Sequence, residues 1–256
     1  MTERYILVQW PESQLLMDHP RFGECILGMD IDGHVEVGSS AYLVPESLFN
    51  ELFKVSGKKR VGLFMGSFDP PHKGHLGVAR KAITDGLVDE VLIIPTPGNP
   101  WKGSPGISFS KKLSYCIGTF GKEFRVVSGL SDEEVISGNI KGLQDSDGKY
   151  YSYRQILRVI LSDEPYNPLG SAEYRILCGT DVYNEIKNWK YGEWILENFP
   201  PILIDRPGYS EESDPSLLKI SSTEIRDRIK EGDWKGVEPF LDPAVLEWIK
   251  KDNVYG

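Results

Sequence analysis

Residues 61–75 read Val61-Gly-Leu-Phe-Met-Gly66-Ser-Phe-Asp-Pro-Pro-His72-Lys-Gly-His75, and this stretch decides how the rest of the chain reads. Val61 to Met65 is an apolar run of strand character. Leu76 to about Asp85 reads as a helix. The turn between them is rich in Gly and Pro and holds two of the chain's four histidines. A strand that feeds a tight turn into a helix start is where α/β proteins hold phosphate. The first N–H groups of the helix lack intrahelical partners, and the helix dipole places partial positive charge there. His72 and His75 are three residues apart, so both rings fall on one side of the helix start. An imidazole there can donate to a phosphoryl oxygen, and removing one such preorganised donor costs on the order of 100- to 1000-fold in rate. Gly66 lets backbone approach a ligand, and Gly74 permits close packing. A zinc site would need a third ligand, and no nearby Cys or His supplies one. A purely structural turn is the competing reading. The chain has no Walker A pattern and no Gly-x-Gly-x-x-Gly fingerprint, so the phosphate reading rests on these residues and their support.

From Val61 onward, short apolar runs alternate with helical stretches. The runs are Val61–Met65, Val91–Pro95, Phe124–Ser128, Arg175–Gly179 and Pro201–Asp205. The helical stretches are Leu76–Leu87, Ser110–Thr119, Tyr153–Leu161 and Val182–Leu196, and residues 129–150 read as a long surface loop. Continuous apolar strands spaced by helices predict an α/β fold with a parallel sheet covered on both faces. Residues 1–57 differ: Tyr5–Trp10, Cys25–Ile31, His34–Val37 and Ala41–Val44 read as strands, with Asp32-Gly33 as a hairpin turn. Glu46–Val55 reads as a helix opened by Pro45. The expected organisation is a small β-rich appendage, 1–57, followed by an α/β domain, 58–256.

A second anion site is predicted at Ile220-Ser-Ser-Thr-Glu-Ile-Arg226, which opens a helix running to about Glu231. Ser221-x-x-Glu224 fits a capping box, which alone would contribute about 1 kcal/mol without any ligand. Three consecutive hydroxyls followed by Arg226 exceed what a cap requires. Hydroxyls, free N–H groups and a guanidinium at one helix start suit a phosphate. Two such helix starts in one α/β domain favour a polyphosphate.

The chain has 256 residues, 40% of them hydrophobic, and a net charge of −9. That balance argues against non-specific nucleic-acid binding and against an anionic membrane surface, and favours a small molecule in a locally basic pocket. The three cysteines, Cys25, Cys116 and Cys178, are far apart and form no C-x-x-C pair, so no disulfide framework or zinc ribbon is expected. Apolar runs are too short to span a bilayer, and the N-terminus lacks a signal-peptide core. A cytoplasmic location is the expectation, with homo-oligomerisation open.

The quoted motifs resemble those of the nucleotidyltransferase superfamily with a His-x-x-His signature, whose fold is a Rossmann-like doubly wound sheet. Gly66–His75 resembles the first signature and Ile220–Arg226 the second. Within the superfamily the chain is similar to the nicotinate-nucleotide adenylyltransferases. Pro95-Thr-Pro-Gly-Asn-Pro-Trp-Lys102, Gly179-Thr-Asp181 with Trp189, Asp205-Arg-Pro-Gly-Tyr209, and Leu241–Ile249 with Tyr255 carry that narrower likeness. It covers about residues 61–255, with six stretches in the right order.

The resemblance implies transfer of the adenylyl group of ATP to nicotinate mononucleotide. Gly66, Ser67 and Phe68 would approach ATP, with His72 and His75 on its phosphates. Gly179 and Asp181 would hold the ribose, and Ser222, Thr223 and Arg226 the outgoing pyrophosphate. His72, His75 and Arg226 are the catalytic set. Lys102, Ser152, Tyr153, Trp189 and Arg206 would bind the mononucleotide, with Trp189 stacking on the pyridine ring. Mg²⁺ would ride mainly on the ATP phosphates with no assigned protein ligand.

Two departures bear on the acceptor. Arg154 stands where the family has Thr in a Ser-Tyr-Thr segment, and Trp101 where it commonly has His. Nicotinamide mononucleotide and pantetheine phosphate are the alternative acceptors. A non-catalytic nucleotide sensor is the alternative outside enzymology.

Overall fold

The structure, a computed structural model, describes residues 5–10, 26–27, 40–45, 59–97, 107–144, 148–162, 172–207 and 214–256. Its centre is a five-stranded parallel sheet. Strand β4 (Lys59–Gly66) lies between β5 (Glu90–Pro95) and β7 (Ala172–Cys178), with β6 (Arg125–Val126) outside β5 and β8 (Ile202–Leu203) outside β7. Val61 pairs with Glu90 on one side and with Tyr174 on the other. The central residues of β4 and all but the first of β5 are buried, as continuous apolar strands require when both sheet faces are covered.

The chain moves outward from β4 through β5 to β6, then crosses back to place β7 on the other flank of β4. The carboxyl ends of β4 and β7 therefore form the switch point, where doubly wound sheets open a crevice. One face carries α1 (Lys73–Thr84) and α2 (Phe109–Phe120), and Leu76, Ala79, Ala82, Cys116 and Phe120 pack with Phe64, Val91 and Ile93. A second cluster joins Leu63, Leu92, Ile94 and Ile176 to Ile156 and Ile160 of α4 (Ser152–Ser162). A third lies where Tyr115 of α2 meets α7 (Ser222–Lys230) and α8 (Pro243–Lys251).

The α/β expectation holds, and all five parallel strands stand where the apolar runs predicted them. The two edge strands are shorter than expected because each pairs on one side only. Pairing continues past them as single bonds from Val127 N–H to Ile93 O and from Ile204 N–H to Cys178 O.

Two expectations need correction. The long surface loop contains α3 (Asp132–Ser137), opened by a Ser131–Glu134 capping box, and a 3₁₀ turn at Lys141–Leu143. Leu143 and Tyr150 are buried there, and Arg158 of α4 ties the segment down through Gly129 O and Glu134. The single helix expected over 182–196 is two helices, α5 (Thr180–Ile186) and α6 (Gly192–Asn198). Tyr191 has φ +60, and a Cβ on Gly192 would fall 1.9 Å from Ile186 O, so the chain folds back on itself and breaks the helix.

In the N-terminal stretch, β1 (Tyr5–Trp10), β2 (Ile26–Leu27) and β3 (Ser40–Pro45) form an antiparallel sheet in the order β1-β3-β2. Tyr5 pairs with Pro45 and Ile26 with Leu43. The expected Asp32-Gly33 turn and the Glu46–Val55 helix lie outside the described residues. No helix among the described residues is long and apolar enough to cross a membrane.

Candidate active site

Strand β4 delivers Gly66 to the switch point, and residues 67–71 turn the chain into α1. Phe68 takes φ +42, and its ring lies under Gly66 so closely that a Cβ there would sit 2.9 Å from it. Gly66 is therefore a packing requirement as well as an open approach to the cleft. The buried Phe68 ring meets Phe64, Phe120 and His75 edge-on, with centroids 5.5, 5.4 and 5.1 Å apart. The turn is thus anchored to the core by an aromatic side chain.

His72 is the N-cap of α1, and its backbone N–H donates to Nδ1 of His75 at 3.3 Å. The two rings stack with centroids 3.7 Å apart. His72 is fully buried, and neither of its ring nitrogens has a hydrogen-bond partner among the described residues. His75 reaches the cleft. Burial holds the pKa of each ring well below the usual histidine value, and the Arg206 charge pushes both further in the same direction. His72 adds to the effect on His75. Both are neutral imidazoles at neutral pH, and because Nδ1 of His75 accepts, its proton resides on Nε2.

The second motif folds onto the first. Ser221 caps α7, accepting the Glu224 N–H at 3.0 Å, so the capping box supplies half of its expected pair. Ser222 Oγ donates to Pro70 O at 2.9 Å. The Arg226 guanidinium donates to Asp69 O at 2.6 Å and to Thr223 Oγ1 at 3.1 Å. A Cβ on Gly74 would lie 2.9 Å from Ile220, so glycine there lets the two helix starts meet.

The third wall comes from β7 and β8. Asp205 accepts from the backbone N–H and the hydroxyl of Thr180 at 2.7 and 2.6 Å, which fixes the chain leaving Gly179. Asp181 and Asp205 crowd Gly179, where a Cβ would be 2.8 and 3.0 Å from their carboxylates. Arg206 donates to Ile220 O at 2.7 Å and so spans from the β8 side to the start of α7.

A cleft of about 270 Å³ opens between these walls. Gly66, Ser67, Phe68, His75, Gly179, Asp181, Arg206, Ser222, Thr223 and Arg226 all line it, with Phe64, Val78, Val182 and Ile204 as its apolar part. Its charged lining is Arg206 and Arg226 against Asp181 and Asp205, with neutral His75 as donor. His72 stands behind His75 and does not line the cleft. Arg206, expected with the mononucleotide residues, shares the cleft with the phosphate motifs. Ser152, Tyr153 and Trp189 do not line it. Tyr153 is buried in the core, edge-on to Tyr191, with Trp189 packed on the same cluster. Arg154 is also buried and donates to the Tyr153 hydroxyl at 3.1 Å. Lys102, Trp101 and Tyr209 lie outside the described residues. Sequence reasoning missed Asp205 as the residue that fixes the Gly179 turn. It stands first in the quoted Asp205–Tyr209 segment, but nothing local tells a loop aspartate that it will cap a helix start 25 residues earlier.

The Cytidylyltransferase-like family profile matches residues 63–114, the span holding the histidine turn. A protein of Shouchella clausii named a probable nicotinate-nucleotide adenylyltransferase is 31% identical over 208 residues, covering 77% of this chain and 97% of that one. The chain belongs to the nicotinate-nucleotide adenylyltransferase family. A Thermus thermophilus protein of the same printed name is 29% identical, with 77% of this chain and 99% of that protein aligned. Among solved structures, the nicotinic acid mononucleotide adenylyltransferase of Plasmodium falciparum complexed with NaAD superposes with a TM-score of 0.56. It covers 77% of this chain and 97% of its own at 19% identity, and shares the adenylyltransferase fold. As a member of this family the chain is a nucleotidyltransferase enzyme.

Proposed function

We propose that this enzyme transfers the adenylyl group of ATP to nicotinate mononucleotide, giving deamido-NAD and pyrophosphate, a step of NAD biosynthesis. The observation that carries the reading is the convergence of the two phosphate motifs on one cleft at the switch point, with His75 and Arg226 both lining it. Family membership supplies the acceptor.

The mononucleotide phosphate is already an anionic nucleophile, so no strong general base is needed. It attacks the α-phosphorus of ATP in line, a P–O bond forms, and the bond to the bridging oxygen breaks as pyrophosphate leaves. Catalysis is alignment and charge stabilisation. His75 presents Nε2–H to the phosphates. Their negative charge opposes the lowering by burial and raises the pKa of both rings. His72, stacked behind His75, is the second histidine of the catalytic set in this reading and backs that donor. Ser222, Thr223 and Arg226 receive the pyrophosphate at the start of α7. Gly179 and Asp181 take the ribose, and the apolar wall suits the base.

In this reading a Mg²⁺ would arrive on the triphosphate, held mainly by its phosphates. The metal would offset phosphate charge.

Lys102, Ser152, Tyr153, Trp189 and Arg206 form the proposed mononucleotide set, with residues 1–57 an appendage to the catalytic unit. A coupled assay of ATP with each pyridine mononucleotide tests the reaction, scoring dinucleotide and pyrophosphate. A higher kcat/KM for nicotinate mononucleotide is expected. Preference for the amide would overturn the assigned acceptor, and no dinucleotide with either would overturn the activity.

A further inference from the structure

Next to the phosphate turn, among residues that do not line the cleft, lies a partly buried polar cluster that the reaction does not use. Its hub is the Asp69 carboxylate. The Tyr255 hydroxyl donates to Asp69 Oδ1 across 186 residues of chain. Tyr255 stands four residues after the last helix, at φ +73, a conformation that costs about 1–3 kcal/mol for a non-glycine residue and persists only where its surroundings hold it. Burial pushes its hydroxyl far above the ordinary tyrosine range, so it remains a donor at every working pH.

The Lys112 side chain of α2 is 1% exposed; burial lowers its pKa and the Asp69 charge opposes that shift. Its Nζ donates to Thr96 O at 2.8 Å, and the Thr96 N–H donates to Gly66 O at 2.9 Å. Both ends of the phosphate turn are therefore held, Gly66 through Thr96 and Lys112, Asp69 through Tyr255. Neither Lys112 nor Tyr255 lines the cleft. A fully buried lysine is rare unless it is paired, and a strained residue bonded to a distant carboxylate is rare unless its place matters.

We propose that Tyr255 and Lys112 are positioning residues for adenylyl transfer, bracing the Gly66–His75 turn so that His75 meets the α-phosphoryl group. This rests on the proposed reaction for its kinetic consequence and on the geometry alone for its mechanical one. A misplacement of about 1 Å in a preorganised site costs about 100-fold, whereas a brace that only adds stability leaves kcat of the folded enzyme unchanged.

The test uses the full chain with Tyr255→Phe, which removes one hydroxyl, and Lys112→Met, which removes the charge at similar volume. The kcat is expressed per nucleotide-competent site, counted by calorimetric titration with a non-hydrolysable ATP analogue. The expected result for Tyr255→Phe is a kcat lowered tenfold or more, with both KM values within threefold of wild type. Values of kcat within threefold would overturn the proposal. Hydrogen exchange supplies a readout that does not depend on turnover. Amides of residues 66–75 should exchange about tenfold faster in the folded variant, with those of β7 unchanged. Unaltered exchange at 66–75 in both variants would overturn the brace even if the wild type made no deamido-NAD, and faster exchange there would uphold it while the reaction itself fell.

Discussion

The backbone N–H of His72 donates to Nδ1 of His75, and that bond decides which nitrogen of His75 carries the proton toward the cleft. A neutral imidazole accepts at one nitrogen and donates at the other, so Nε2–H is the group offered to a phosphoryl oxygen. His75→Ala removes that donor together with the acceptor for the His72 N–H. Pyrophosphate release should fall on the order of 100- to 1000-fold. A rate within threefold of wild type would remove His75 from the mechanism.

Acidification should weaken the ligand-free fold. Burial holds His72 and His75 below the unfolded histidine pKa of 6.5. Below that value the unfolded chain takes up protons that the folded chain refuses, so their contribution is complete above about pH 6.5 and is lost as pH falls toward the folded values. The melting temperature should therefore drop between pH 7 and pH 5, and drop less in His72→Phe, which keeps a stacked ring and cannot titrate. Parallel melting curves for the two proteins over that range would contradict the assignment.

Arg226 bridges Asp69 O and Thr223 Oγ1 while lining the cleft, which places it to hold the leaving group. Arg226→Lys retains the charge and loses the planar fork. Product inhibition by pyrophosphate should weaken about tenfold or more, with the KM for the mononucleotide unchanged. An unaltered pyrophosphate inhibition constant would argue that Arg226 is only a tie to the turn.

Asp205→Ala should loosen the Gly179 turn by removing two hydrogen bonds to Thr180. Loss of a capping carboxylate of this kind costs about 0.5–2 kcal/mol. The KM for ATP should rise more than that for the mononucleotide, because Gly179 and Asp181 line the cleft proposed for ATP. Steady-state kinetics against both substrates and a thermal melt would check it, and equal rises would place Asp205 elsewhere in the reaction.

Much of this protein is written in short windows of its sequence. Strand Val61–Met65, the Gly-and-Pro turn, the histidine pair and the hydroxyl-rich start of α7 are local patterns, because hydrogen-bonding period, backbone freedom and helix-end chemistry act over a few residues. The break between α5 and α6 escaped that reading because Gly192 is set by contact with Ile186 O, an approach the periodicity of residues 182–196 does not encode. The helix at Asp132–Ser137 was legible in its Ser131-x-x-Glu134 box but was outweighed by the polar composition around it.

The amino-acid sequence alone determined the α/β class and the two helix-start motifs, and its likeness to the family pointed to the nucleotide chemistry proposed for them. Which motif faces which was decided only by the tertiary structure. The crossover that puts β7 beside β4 brings Gly179 to Gly66, Ile220 packs against Gly74, and Tyr255 reaches Asp69. The tertiary structure also buried His72 behind His75, set both rings neutral, and moved Arg206 in among the phosphate residues. These outcomes depend on desolvation and on charges within a few ångströms, and such distances between remote parts of a chain exist only once it has folded.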